Sequence, residues 1–115
     1  MAELQLLVDD VVVKSFPLDK TIVSIGRAQG NDIIIDDDSV SAEHARIELI
    51  PNDLLDGFID IFIADLGSTN GTFVNDQQIK RHQLENSDYI RIAWTDFKII
   101  SDEGAKLAKT SVILR

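Results

Sequence analysis

The chain has 115 residues, 44% hydrophobic and 27% charged, a composition that fits one soluble globular domain with its own core and leaves no room for a second. Acidic residues number 20 against 11 basic ones, and the resulting formal net charge of -9 argues against general affinity for nucleic acid or anionic membranes. There is no cysteine, which excludes disulfides, thiolate nucleophiles, Cys-ligated zinc and iron–sulfur clusters together.

Taken in chain order, the segments read as β-structure. The first twelve residues carry Glu3, no basic stretch and too short an apolar run for a secretory leader, and no part of the chain approaches the roughly 18 apolar residues of a membrane span. A cytoplasmic setting without membrane insertion is the expectation. Residues 4–8 and 11–16 read as two strands of a hairpin turning at Asp9-Asp10, with Pro17 ending the second. Residues 21–25 form a strand that stops at Gly26, and Ile33, Ile34 and Ile35 make a short apolar run. Ala45, Ile47 and Leu49 alternate with Arg46, Glu48 and Ile50 until Pro51 closes the strand. Residues 51–57 are a polar, turn-rich loop, and 58–64 alternate again. Residues 72–74 and Gln78-Ile79 flank a tight turn at Asn75-Asp76-Gln77. Residues 89–93 and 97–100 are two further strands joined near Trp94-Thr95-Asp96. About ten short strands, with turn signals roughly every 8 to 12 residues and no helix of ordinary length, predict an all-β sandwich or barrel.

Charge is unevenly distributed along this pattern. Residues 1–60 hold 13 acids and 4 bases, whereas residues 61–115 hold 7 of each, so an anion site in the first half needs special construction.

Catalytic patterns fail on inventory. The histidines are His44 and His82, and His82 reads as a surface residue. Ser41 and His44 stand three apart, a spacing that on a strand sends them to opposite faces. Asp36-Asp37-Asp38 would open a calcium loop only with Gly sixth and Glu twelfth, where the chain has Ser41 and Ile47. Residues 67–72 (GSTNGT) lack the Gly-Lys-Ser/Thr ending of a nucleotide loop, and no helix follows them. The expectation is a protein that is not an enzyme and uses no metal or cofactor.

Three segments at strand ends carry the polar groups of interest: residues 24–27 (SIGR), 39–45 (SVSAEHA) and 65–75 (DLGSTNGTFVN). Singly they are unremarked features, since an Arg after a strand is usually solvated and Asn-Gly is usually a turn. A lone His44 reads as a hydrogen-bonded structural residue. As a set, Gly26-Arg27, Asn31-Asp32-Ile33, Ser41-Ala42-Glu43-His44 and Gly67-Ser68-Thr69-Asn70-Gly71-Thr72 resemble the forkhead-associated (FHA) family, in its order and spacing and over residues 4–101.

The resemblance implies an FHA-type β-sandwich of about eleven short, mostly antiparallel strands over residues 1–101, with 102–115 as a C-terminal tail or final strand. It implies a phosphothreonine-peptide recognition module in Ser/Thr kinase signalling, whose partner is a kinase or its substrate. On that pattern Arg27 holds the phosphate, Ser41 donates its hydroxyl to a phosphate oxygen, Thr69 lines the phosphothreonine pocket and Asn70 bonds the peptide main chain. Gly26 and His44 are structural supports, and Gly71 and Thr72 shape the following turn and strand. The residue types suit a ligand carrying about -1.5 to -2 charges and three acceptor oxygens, met by a planar guanidinium and neutral donors. Ala42 departs from the pattern, because many members carry a polar or basic residue there that also reaches the ligand. The acids Asp36, Asp37 and Asp38 precede Ser41, which predicts a preference for ligands with a basic residue near the phosphothreonine. A phosphate-independent scaffold that keeps the same loops is the alternative. In the tail, Thr110 lies among basic and apolar neighbours and could fill the pocket once phosphorylated, although residues 112–114 read more simply as a final strand or packed tail.

Overall fold

A computed structural model describes residues 2–101; the tail 102–115, and with it the reading of Thr110, lies outside the described residues. Eleven strands are present among them: β1 (Ala2–Val8), β2 (Val11–Pro17), β3 (Ile22–Gly26), β4 (Ile33–Ile34), β5 (Ala45–Pro51), β6 (Ile59–Asp65), β7 (Thr72–Val74), β8 (Gln77–Gln78), β9 (Arg81–Leu84), β10 (Tyr89–Ile92) and β11 (Thr95–Ser101). They form two sheets, ordered β2-β1-β11-β10-β7-β8 and β4-β3-β5-β6-β9. Pairing is antiparallel throughout except for the two-residue parallel contact of β3 with β4.

Turn chemistry fixes the hairpins. Asp9 and Asp10 take φ of 52° and 64°, and Asn75 and Asp76 take 49° and 71°. Both are two-residue left-handed turns, a conformation that Asn and Asp tolerate better than other side-chain-bearing residues. The second turn is one residue shorter than the sequence suggests, because Gln77 already belongs to β8. The strand β9 was not expected at all: Arg81, His82 and Gln83 are exposed, and only Leu84 turns inward. It is an edge strand whose polar residues face water, so it lacks the alternation that marks its neighbours.

The core lies between the sheets. Ile47, Ile61, Ile63, Ile90, Ile92, Phe97 and Ile99 are each no more than 2% exposed. Burying each such side chain stabilises the fold by roughly 1.5–3 kcal/mol before entropy is counted. Strand β2 departs from this scheme, since Val11, Val12 and Val13 are all exposed on both of its faces. Its register against β1 slips between Leu6 and Leu7, leaving Val13 as the extra residue of a bulge. Among the described residues no helix is long and apolar enough to cross a membrane.

Register places several connections at one end of the sandwich. Ile25 pairs with Ala45, Ala45 with Asp65, and Ile92 with Thr72. The segments 27–32, 35–44 and 66–71, and the turn 93–94 between β10 and β11, therefore leave the sheets side by side.

Candidate functional site

Gly26 allows the first two of these segments to touch. A Cβ on it would collide with the Ala42 carbonyl oxygen and come within 2.8 Å of Asn31 Nδ2. Without one, the Arg27 N–H donates to the Ser41 carbonyl at 3.0 Å and the Ala28 N–H to the Ala42 carbonyl at 3.1 Å. Asn31 adds a side-chain clamp, donating Nδ2–H to the Ala42 carbonyl at 2.7 Å and to the Ala28 carbonyl at 3.0 Å. Val40 is 1% exposed and belongs to the core cluster, so it pins the middle of segment 35–44 and turns the flanking Ser39 and Ser41 outward.

His44 is fully buried and ties this segment to the next. Its Nδ1 accepts the Ser41 N–H at 3.1 Å, so the ring proton sits on Nε2, which donates to the Gly71 carbonyl at 2.8 Å. The sequence spacing put Ser41 and His44 on opposite faces of a strand. They instead occupy a turn ahead of β5, where the ring folds back onto the Ser41 amide.

The segment 66–71 is organised by Asp65 at the end of β6. Asp65 Oδ2 accepts the Gly67 and Ser68 N–H groups at 3.0 and 3.1 Å, and Oδ1 accepts the Ser68 and Thr72 hydroxyls at 2.5 and 2.7 Å. Ser68 Oγ in turn accepts the Gly71 N–H at 3.0 Å. Burial alone would raise the Asp65 carboxyl; the Ser68 and Thr72 hydroxyls and the two backbone donors outweigh it and hold the group below its usual range. Thr72 is fully buried behind the loop. Gly71 has φ of 88°, and a Cβ there would press on the Phe73 ring at 3.0 Å.

Two bonds close the gap between the segments. Ser41 Oγ accepts the Thr69 N–H at 3.1 Å, and Asn70 donates Nδ2–H to the Ser39 carbonyl at 2.7 Å. The result is an open pocket of about 300 Å³ lined by Arg27, residues 38–42, Thr69 and Asn70. Arg27, Ser41, Thr69 and Asn70 thus meet at one place, and Gly26, His44, Gly71 and Thr72 stand behind it. A recess of the same volume, about 300 Å³, lies at the other end of the sandwich, but Ala2, Leu18, Leu49, Pro51 and Ile59 give it a largely apolar wall.

Asp37 and Asp38, two of the three acids ahead of Ser41, each have a partner beside the pocket. The exposed Arg27 guanidinium lies 3.8 Å from Asp38 Oδ1, a solvated contact worth little. Asp37 is occupied by Ser39, whose hydroxyl and N–H donate to Oδ1 at 2.5 and 2.8 Å and hold its carboxyl below the usual range. Ala42 is exposed at the rim and offers only a methyl there.

Sequence reasoning assigned no role to Asp65, Asn31 or Ser39. The signal for Asp65 was present, since an Asp two and three residues ahead of Gly-Ser at a strand end is an Asx-turn pattern. Asn31 stands in the family motif, but its clamp could not be read there, because its Ala42 partner lies on a separate segment.

Comparison with known proteins agrees with this geometry. The family model described as the FHA domain matches residues 23–93. The glycogen accumulation regulator GarA of Mycobacterium tuberculosis is 35% identical over 91 residues, which cover 79% of this chain and 51% of that protein. The chain therefore spans about half the length of the curated relatives it matches. A solved structure described as an analysis of phosphothreonine-dependent FHA domain interactions superposes with a TM-score of 0.72 at 32% identity, covering 87% of this chain and 95% of the other. Mycobacterium tuberculosis EmbR, solved with a low-affinity phosphopeptide, gives a TM-score of 0.73 at 30% identity, covering 86% of this chain and 24% of that one. With eleven strands in two sheets, the ordered loop motifs and a family match over more than half its length, the chain belongs to the FHA domain family.

Proposed function

We propose that this domain recognises phosphothreonine peptides through the pocket between segments 27–42 and 69–70. The observation that carries this is the convergence of an exposed guanidinium with Ser41, Thr69 and Asn70 in one open pocket whose backbone is already hydrogen-bonded. On this reading Arg27 takes two phosphate oxygens in its planar fork, displacing the loose Asp38 contact. Ser41 still has its hydroxyl hydrogen to donate to a third oxygen, since in the free protein it acts as acceptor for Thr69. Thr69 walls the phosphothreonine, and Asn70 bonds the peptide main chain. His44, Gly26, Gly71 and Thr72 hold the walls and stay out of contact.

The site is a holder of phosphate rather than a cleaver of it. Its histidine is committed on both ring nitrogens, and no acid–base pair faces a nucleophile among the residues that line the pocket. On this reading the setting is Ser/Thr kinase signalling in the cytoplasm, with a kinase or its substrate as the partner; the names of the relatives GarA and EmbR as regulators support a regulatory role.

The test is a titration with a degenerate phosphothreonine peptide pool beside the same pool unphosphorylated, in wild type and Arg27→Ala. Removing a charge-assisted bidentate contact should weaken phosphopeptide binding by on the order of 10- to 100-fold while leaving thermal stability unchanged. Equal binding of both pools, indifferent to Arg27→Ala, would make the domain a phosphate-independent scaffold.

A further inference from the structure

We propose that the recognition surface does not end at the pocket but continues across segment 66–71 to Trp94, which selects ligands carrying an arginine or lysine a few residues from the phosphothreonine. The inference rests on the phosphothreonine reading and adds to it a specificity-determining residue outside the family's loop motifs.

Position is the first argument. The Ala93 N–H donates to the Gly71 carbonyl at 3.1 Å, the same carbonyl that receives the His44 ring proton. The β10–β11 turn is therefore stitched to the loop that carries Asn70, and Trp94 stands one residue further out. A peptide bonded at Asn70 and running toward the β10–β11 turn would meet Trp94 within a few extended residues, at roughly 3.3 Å each.

Exposure is the second. Trp94 is 74% exposed and is the chain's sole tryptophan, whereas Ala93 and Ile92 beside it are 1% and 0% exposed. The turn is anchored in the core, with Ala93 at φ of 56°, and holds the indole in solvent. Tryptophan is mostly covered in folded proteins, and a rigidly presented one at a binding edge is the residue type that dominates interface energetics.

Charge chooses the occupant. An indole face accepts either an aliphatic or a cationic side chain, but the surroundings are acidic. Asp96 is exposed two residues on and is itself the register partner of Leu7, which brings the Asp9-Asp10 turn alongside. Arg91, opposite Asp96 on β10, turns its guanidinium over the Phe73 ring at 4.5 Å and toward Asp76 at 3.4 Å, away from the turn. A guanidinium stacked on Trp94 within reach of these carboxylates gains about 3- to 10-fold in affinity.

The experiment uses phosphothreonine peptides in an alanine background with one arginine moved through about five positions on each side. Binding is measured by calorimetry in wild type, Trp94→Ala, Trp94→Phe and Arg27→Ala, and by Trp94 fluorescence in the two proteins that keep the indole, wild type and Arg27→Ala. Arginine at one favoured position should raise affinity about 3- to 10-fold and perturb the emission. That increment should vanish in Trp94→Ala and survive in part in Trp94→Phe. Arg27→Ala should lower every peptide. Phosphate-dependent binding with no favoured arginine position, or with the increment intact in Trp94→Ala, overturns this inference alone. Absence of phosphate-dependent binding in wild type overturns the underlying reading and this inference with it.

Discussion

The two walls of the pocket are built on opposite plans. Segment 66–71 is wired from within: one carboxylate, Asp65, gathers four donors from its own loop and the start of β7, and Ser68 closes the ring onto Gly71. Segment 35–44 leans more on its neighbours. Beside the Asp37–Ser39 and Ser41–His44 bonds within it, its Ser41 and Ala42 carbonyls are taken by Arg27, Ala28 and Asn31, and its Ser39 carbonyl by Asn70. A self-contained loop keeps its shape as long as its centre is intact, whereas a dependent one keeps its shape only while its neighbours do. The residues that would touch phosphate sit on both, so the site is as rigid as the bonds between them.

The largest break in that contrast should come from His44→Ala, because His44 is the one side chain bonded to both walls. It leaves a buried cavity, orphans the Ser41 amide and takes one of the two donors from the Gly71 carbonyl, which keeps the Ala93 N–H, a loss on the order of 3–5 kcal/mol in urea or thermal unfolding. Against a typical stability of about 5–15 kcal/mol, the variant should be close to unfolding at physiological temperature.

Asp65→Ala should cost less, about 2–3 kcal/mol, with Asp65→Asn keeping part of it, and the damage should be confined to segment 66–71 in hydrogen exchange. Acid offers a milder version of the same cut. The Asp65 carboxyl lies below its ordinary value of 3.8 in the folded chain. Its contribution is therefore complete at neutral pH and is lost as pH falls through that value toward the folded one, because the unfolded chain takes up the proton first. Asp32, lowered chiefly by the Lys20 hydrogen bond, and Glu48, lowered by Arg81 and Arg46 against the opposing effect of burial, add to the same limb. A stability–pH curve of Asp65→Asn should be flatter than wild type below about pH 4; an unchanged slope would remove Asp65 from that account.

The smallest effect should sharpen the comparison from the other side. Asn31→Ala removes a clamp from the externally held wall and should cost about 1 kcal/mol of stability. Exchange should quicken at the Ala28 and Ser41 amides while segment 66–71 stays protected. Equal loosening of both walls would show that they behave as one unit.

Most of the fold was legible because the chain announces its turns. Asp9-Asp10 and Asn75-Asp76 are residues suited to left-handed φ, and the inward residues of β5, β6, β10 and β11 alternate cleanly. What was not legible is the strand whose energetics is borrowed. Arg81–Leu84 pairs with β6 through its backbone and stacks Arg81 over Phe62 at 4.1 Å, neither of which leaves a hydrophobic period in the sequence. In the site, the motif residues could be named in advance, but the Ser41–Thr69 and Asn70–Ser39 bonds between the walls could not. They join residues 28 and 31 positions apart, a relation that only the folded register creates.

The bulge at Val13 has a meaning for how this protein is handled at high concentration. Strand β2 is the outer edge of its sheet and bears three consecutive exposed valines, the composition from which chains begin to template one another edge to edge. The extra residue, with Lys14 beside it and Pro17 at its end, twists and interrupts that edge. A variant that straightened β2 by deleting Val13 is therefore expected to aggregate more readily at high concentration than the wild type.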